Sequence, residues 1–205
     1  MGEWSTYSLS DFLMFAPGTY WRLIELHQRA IWPGQVLALA TGLGCLALAR
    51  RPTSRRQALA LLLLAASWLF VGWAFHAQRY AAINWAALYF AGAFAAQAIL
   101  LMALASLVAR REVSVKAPAH GCLARGGWLI AAMAVTFYPL AAWVAGRPLV
   151  QSEVFGVTPD PTALATLGLL PSLVAGLGRR WLLLAAVVPV LSLGIGMATL
   201  WTMAT

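Results

Sequence analysis

Charge is what this chain of 205 residues has least of: Asp, Glu, Lys and Arg make up 10% of it, against 62% hydrophobic side chains. A soluble domain carries about 25% charged and roughly 45–50% apolar residues. A water-facing globule of this size would therefore lack the polar side chains to cover its surface. A disordered chain is excluded as well, because 11% aromatic residues and so little charge contradict the composition of segments that stay unfolded. Cysteine is equally scarce: Cys45 sits in an apolar run and Cys122 in a basic gap, which provides neither a disulfide framework nor a metal-ligand spacing. HExxH, CxxC and GxSxG motifs are absent, so His27 and His76 have no ligand partners at metal spacing and Ser152 and Thr158 sit in no nucleophile elbow. No metal and no cofactor is expected.

What the chain has instead is long apolar runs. Crossing roughly 30 Å of hydrocarbon takes about 20 apolar residues in a helix, and six stretches qualify: 31–49, 57–75, 84–109, 128–146, 162–178 and 181–203. Their length, their Ala and Leu content and the need to satisfy backbone groups internally in lipid make them helices. The expected fold is all-α, a six-helix transmembrane bundle over residues 31–205 preceded by an outer-surface segment over 1–30. The fifth stretch is the weakest, short and interrupted by Pro171, but Asp160-Pro161 ahead of it reads as an N-cap followed by proline at the first helical position.

The net charge of +8 turns into an orientation once it is sorted by gap. Gaps one, three and five hold ten of the fourteen cations: Arg50, Arg51, Arg55, Arg56, Arg110, Arg111, Lys116, Arg125, Arg179 and Arg180. The other side holds Arg22, Arg29, Arg79 and Arg147. Positive loops stay in the cytoplasm, so both termini are expected outside. Trp32, Trp73, Trp85, Trp143 and Trp201 near outer ends, and Trp128 and Trp181 near inner ends, fit the interfacial preference of indole. The cations form no basic face with interleaved aromatics, so nucleic acid is not an expected partner. The lipid bilayer is, and another membrane protein or a second copy of the chain could join it.

Glu3 and Asp11 replace the basic start of a signal peptide, and the segment is expected to be retained. Ser8 and Asp11 have the spacing of a capping box. Beyond Pro17-Gly18, Thr19–Ala30 places Arg22, Glu25 and Arg29 on one helical face and Tyr20, Ile24, His27 and Ile31 on another, as in an amphipathic helix lying at an interface.

Three passages carry a resemblance: Trp4-Ser-Thr-Tyr-Ser-Leu-Ser-Asp-Phe-Leu-Met-Phe, Trp73-Ala-Phe-His-Ala-Gln-Arg-Tyr-Ala-Ala-Ile-Asn-Trp85 and Glu153-Val-Phe-Gly-Val-Thr-Pro-Asp-Pro-Thr162. Together they resemble an uncharacterised family of small bacterial polytopic integral membrane proteins. The resemblance implies a multi-pass protein of the bacterial inner membrane and supplies no activity or catalytic residues.

None of the six stretches contains an ionised side chain. Such residues mark proton and ion pathways, so a charge-relay pump is disfavoured. Polar groups gather instead at the outer side. His76, Arg79 and Tyr80 follow at i, i+3 and i+4, which predicts one helical face, with Asn84 beyond a turn. His27, Glu153 and Asp160 approach from other segments, and Arg79 can pair with Glu153. A second candidate set surrounds the prolines of the last three stretches. Pro139, Pro171 and Pro189 each free a backbone carbonyl near the expected midplane, where Gln97, Thr136, Tyr138, Ser172 and Ser192 could line a solute path. The function expected is a channel or carrier for a small neutral solute entered from an outer vestibule. The alternatives are a scaffold or accessory subunit that binds another membrane protein and, third, a membrane-embedded enzyme.

Overall fold

The computed structural model describes residues 15–110 and 121–204, and all regular structure among them is helical. The capping-box residues Ser8 and Asp11, the first resemblance passage up to Met14, and Arg111 and Lys116 lie outside the described residues.

Helix α1, Pro17–Ile31, begins on a proline, which loses nothing at a position whose N–H has no helical partner. It buries Leu23, Ile24, His27 and Gln28. On its outer face Glu25 accepts from Arg22 at 2.7 Å and from Arg29 at 2.9 Å. Trp32-Pro33 ends the helix, and α2, Gly34–Arg50, leaves at 89° to it. Helix α3, Ser54–Phe70, starts where the Thr53 hydroxyl accepts from the Arg56 N–H at 3.3 Å, and it runs on as a π-helix over Val71–Ala77. A short 3₁₀ turn, Tyr80–Ala82, leads to α4, Ala87–Ala109. Helix α5, Cys122–Thr136, is broken at Phe137 ahead of Pro139 and continues, bent by 49°, through a 3₁₀ turn into α6, Ala141–Val144. Helix α7, Pro159–Leu173, and α8, Arg179–Ala204, are joined through Gly178, whose φ of +95° is open to glycine without strain.

Three helical segments are long and apolar enough to cross a membrane, Ser54–Ala82, Ala87–Ala109 and Arg179–Ala204, and the number rises to five if each bent pair counts as one span. This corrects the expectation of six. On the larger count the stretch 162–178 is the one left out. It forms α7, whose 15 residues extend only about 22 Å at 1.5 Å each. Its hydrophobicity answers to protein rather than lipid: twelve of its residues are buried, from Pro159 to Leu173, whereas α8 buries only Ala185 and Pro189. A helix sheathed by its neighbours needs no hydrocarbon-matched length.

The sheath packs closely where side chains are smallest. Gly127 of α5 and Gly168 of α7 face each other so tightly that a methyl group on either would overlap the other's carbonyl oxygen. On another side of α7, the Trp68 indole donates to the Thr166 hydroxyl at 2.9 Å and its ring lies 4.3 Å from that of Phe94. The antiparallel arrangement gathers α2's last turn, α3's first turn and the α5, α7 and α8 ends at one end of the bundle. There Gln57 donates to the Ser172 carbonyl at 2.8 Å, Trp128 donates to the Leu46 carbonyl at 3.0 Å, and Arg50 lies 5.8 Å from the Trp128 ring. Arg50, Arg51, Arg55, Arg56, Arg110, Arg125, Arg179 and Arg180 belong to this basic end. Helix α1, the Ser152–Thr158 loop and the end of α8 form the opposite one.

Candidate functional site

The end opposite the arginines holds a partly open cavity of about 230 Å³. Its floor is aromatic. Phe90 and Phe94 stand one turn apart on α4, Phe75 and His76 come from the π-helical extension of α3, and Tyr20 and Tyr80 close the mouth. The His76 imidazole is the only basic side chain on the lining. It is 5% exposed, with the rings of Phe94, Phe75, Phe90 and Tyr80 at 4.5, 5.2, 5.7 and 6.0 Å. Neither of its ring nitrogens has a hydrogen-bond partner among the described residues.

The end of the π-helix separates the clustered residues. Its wider turn, marked by the Gln78 N–H donating to the Trp73 carbonyl five residues back at 3.0 Å, takes more than four residues to come round. The helix ends there: His76 lies on its last turn and Tyr80 in the 3₁₀ segment beyond it, and both line the cavity, while Arg79, in the turn between them, faces an exposed groove beside Gly18, Arg22 and Leu26 of α1. The single face expected from α-helical spacing is not formed, and the Arg79–Glu153 pair expected with it is absent among the described ion pairs. Asn84 serves as a brace: its amide donates to the Tyr80 hydroxyl at 3.3 Å, and its carbonyl oxygen accepts from the Ala86 N–H at 2.9 Å at the entrance to α4.

Asp160 supplies the cavity's carboxylate. Helix α7 starts two residues earlier than expected, with Thr158 at the N-cap and Pro159 as the first helical residue, so Asp160 lies inside the first turn. A carboxylate there is favoured by the helix dipole. Its oxygens rest against α8 at Gly196, where even a Cβ would come within 2.5 and 2.6 Å of them.

The loop before α7 is buried throughout from Ser152 to Thr158 and is held by its own hydroxyls. Thr158 accepts from the Val154 N–H at 2.9 Å, and Thr162 accepts from the N–H of Gly156 at 2.8 Å, where a φ of +72° turns the chain against Ala38. Helix α1 straps the loop down: Gln28 donates to the Ser152 carbonyl at 2.6 Å and His27 Nε2 to the Val157 carbonyl at 3.0 Å. A carbonyl only accepts, so His27 carries its proton on Nε2, in a structural tether adjoining the cavity through Phe75, 5.2 Å away. Glu153 is buried in this loop. Burial pushes its carboxyl well above the usual range, the Asp160 charge adds to the rise, and the Arg147 guanidinium opposes it. Arg147 itself stacks 3.4 Å above the Trp21 ring.

The proline set does not converge. Pro189 frees the Ala185 carbonyl four residues back, and Gln97 donates to that oxygen at 2.9 Å. Ser192, three residues on, lines the cavity. Pro171 and Ser172 lie in the last turn of α7 at the basic end. Pro139 and Tyr138 form the break after α5, and the exposed Thr136 donates to the Ala132 carbonyl at 2.7 Å. Sequence reasoning missed the aromatic lining. The signal was there in Phe90 and Phe94 at i, i+4 on α4, with Gln97 close to the same face.

Helices long and apolar enough to cross a membrane, packed around a short buried axis with an aromatic-lined cavity at one end, are consistent with an all-helical membrane protein. The chain belongs to DUF6064, a family of unknown function whose model matches residues 18–203. No curated protein and no solved structure matches it.

Proposed function

We propose that this is a polytopic membrane carrier that binds a small solute in the cavity around His76. We place it in the bacterial cytoplasmic membrane with the arginine-rich end inside, α7 making a short, protein-sheathed sixth crossing from its Asp160 end to its Ser172 end, both termini outside, and α1 lying along the outer interface. The positive-inside bias supports this orientation, and the 89° turn between α1 and α2 supports the interfacial position. The observation that carries the reading is His76: a buried polar group without a partner costs about 1–3 kcal/mol, and a solute in the cavity can supply a partner to its ring. A carrier is favoured over an open channel because the bundle beneath the cavity is filled by α7, Trp68 and the Gln97 bridge to Ala185.

The test is uptake into proteoliposomes, assayed with a panel of labelled amines, alcohols and amides. One member is expected to accumulate with the wild-type protein, and His76→Phe, which keeps the ring and removes both nitrogens, is expected to lower that uptake at least tenfold with melting within a few degrees of wild type. Uptake unaffected by His76→Phe contradicts the proposal. So does absence of uptake across the panel, which would leave the scaffold reading.

A further inference from the structure

We infer that the cavity's ligand is a small organic cation, an alkyl- or arylammonium that retains an N–H. The inference rests on the reading of the cavity as a solute site and replaces the neutral solute expected from the sequence. Three independent features of the lining agree on it.

The first is the floor. Four aromatic rings surround His76 at 4.5–6.0 Å, and Tyr20 lies 6.1 Å from Tyr80. Aromatic faces are electron-rich and attract a cation lying within about 6 Å, more strongly once both are withdrawn from water. The second is charge. Asp160 is the one acid on the lining, no Lys or Arg shares it, and neither Asp160 nor Glu153 forms an ion pair among the described residues. An anion would meet a carboxylate and ring faces of the same sign. A neutral solute would leave the buried carboxylate uncompensated, which is the costly arrangement. Gly196 makes room for this carboxylate at α8, where any side chain would displace it. The third is His76. A neutral imidazole has one lone pair to offer, and with both nitrogens unpartnered it can accept an ammonium N–H that the surrounding phenyl rings cannot. The apolar residues Val188, Leu191 and Ile195 of α8 complete the wall and suit the hydrocarbon part of such a ligand.

The experiment compares three isosteres by calorimetric titration of the purified full-length protein in detergent at pH 7: phenethylammonium, 2-phenylethanol and phenylacetate. Phenethylammonium is expected to bind at least tenfold more tightly than the alcohol, with phenylacetate not binding. Asp160→Asn is expected to abolish the preference for the cation, and Phe94→Leu to weaken the ammonium more than the alcohol, which provides a second reading should Asp160→Asn fail to fold. Arg79→Gln, outside the cavity, is expected to leave all three unchanged. Equal binding of ammonium and alcohol overturns the cationic assignment while the solute cavity stands. Binding of neither overturns both.

Discussion

Glu153 is kept inside the protein by the loop around it without an ion pair to its carboxylate among the described residues, and the nearby Arg147 guanidinium stacks on the Trp21 ring. Its raised pKa has a consequence for stability. The folded protein holds this proton more tightly than the unfolded chain, so the contribution is complete below the ordinary carboxyl value of about 4.3 and is lost as pH rises above it toward the folded value. Apparent melting temperature in detergent is therefore expected to fall from pH 5 to pH 9, and Glu153→Gln is expected to flatten the fall, with the largest gain at the alkaline end. Parallel curves for the two proteins would contradict the assignment. Single residues were legible in the sequence to an uneven degree. His76, Tyr80 and Asp160 were recognisable as polar side chains out of keeping with their apolar surroundings, and the cavity unites them. Arg79 was misplaced because spacing arguments assume one continuous helix of 3.6 residues per turn, and the helix ends at Ala77, with Arg79 in the turn that leads to the 3₁₀ segment Tyr80–Ala82.

At the scale of elements, α7 shows what hydropathy leaves unsaid. An apolar residue facing Leu169 and one facing a lipid tail look alike in a sequence, so the most buried helix reads as another span. Its glycine was the better clue. Gly168 permits the approach of α5, and Gly168→Ala is expected to force the two helices apart. Overpacking of this kind costs roughly 1–3 kcal/mol, which at this chain length corresponds to a loss of about 3–10 °C in melting temperature. Gly126→Ala is the matched control, because that position has nothing within 4 Å. It is expected to leave melting unchanged or to raise it by about 2 °C through better helix propensity. Equal effects of the two substitutions in a thermal scan would show that the α5–α7 crossing is not the tight point described. The remaining elements follow their sequence signals more closely: α1 spans Pro17–Ile31 around the expected Thr19–Ala30, and its salt-bridged outer face is the one its charges marked.

The whole molecule is polar in the lengthwise sense, with arginines at one end and a solute-sized aromatic cavity at the other. That asymmetry was legible in the order of charges along the chain, while the cavity was not, because its rings come from four separate segments. The central claim is that the cavity opens to the outer side. Native cysteines provide the reference, since Cys122 is exposed at the basic end and Cys45 is buried. The most direct measurement is labelling in intact cells with a small charged, membrane-impermeant thiol reagent, comparing wild type with Ser192→Cys in a Cys122→Ala background. The account predicts that the cysteine at position 192 is modified from outside, while Cys122 of the wild type reacts only after the membrane is opened. Labelling of Cys122 from outside, with position 192 protected, would contradict it.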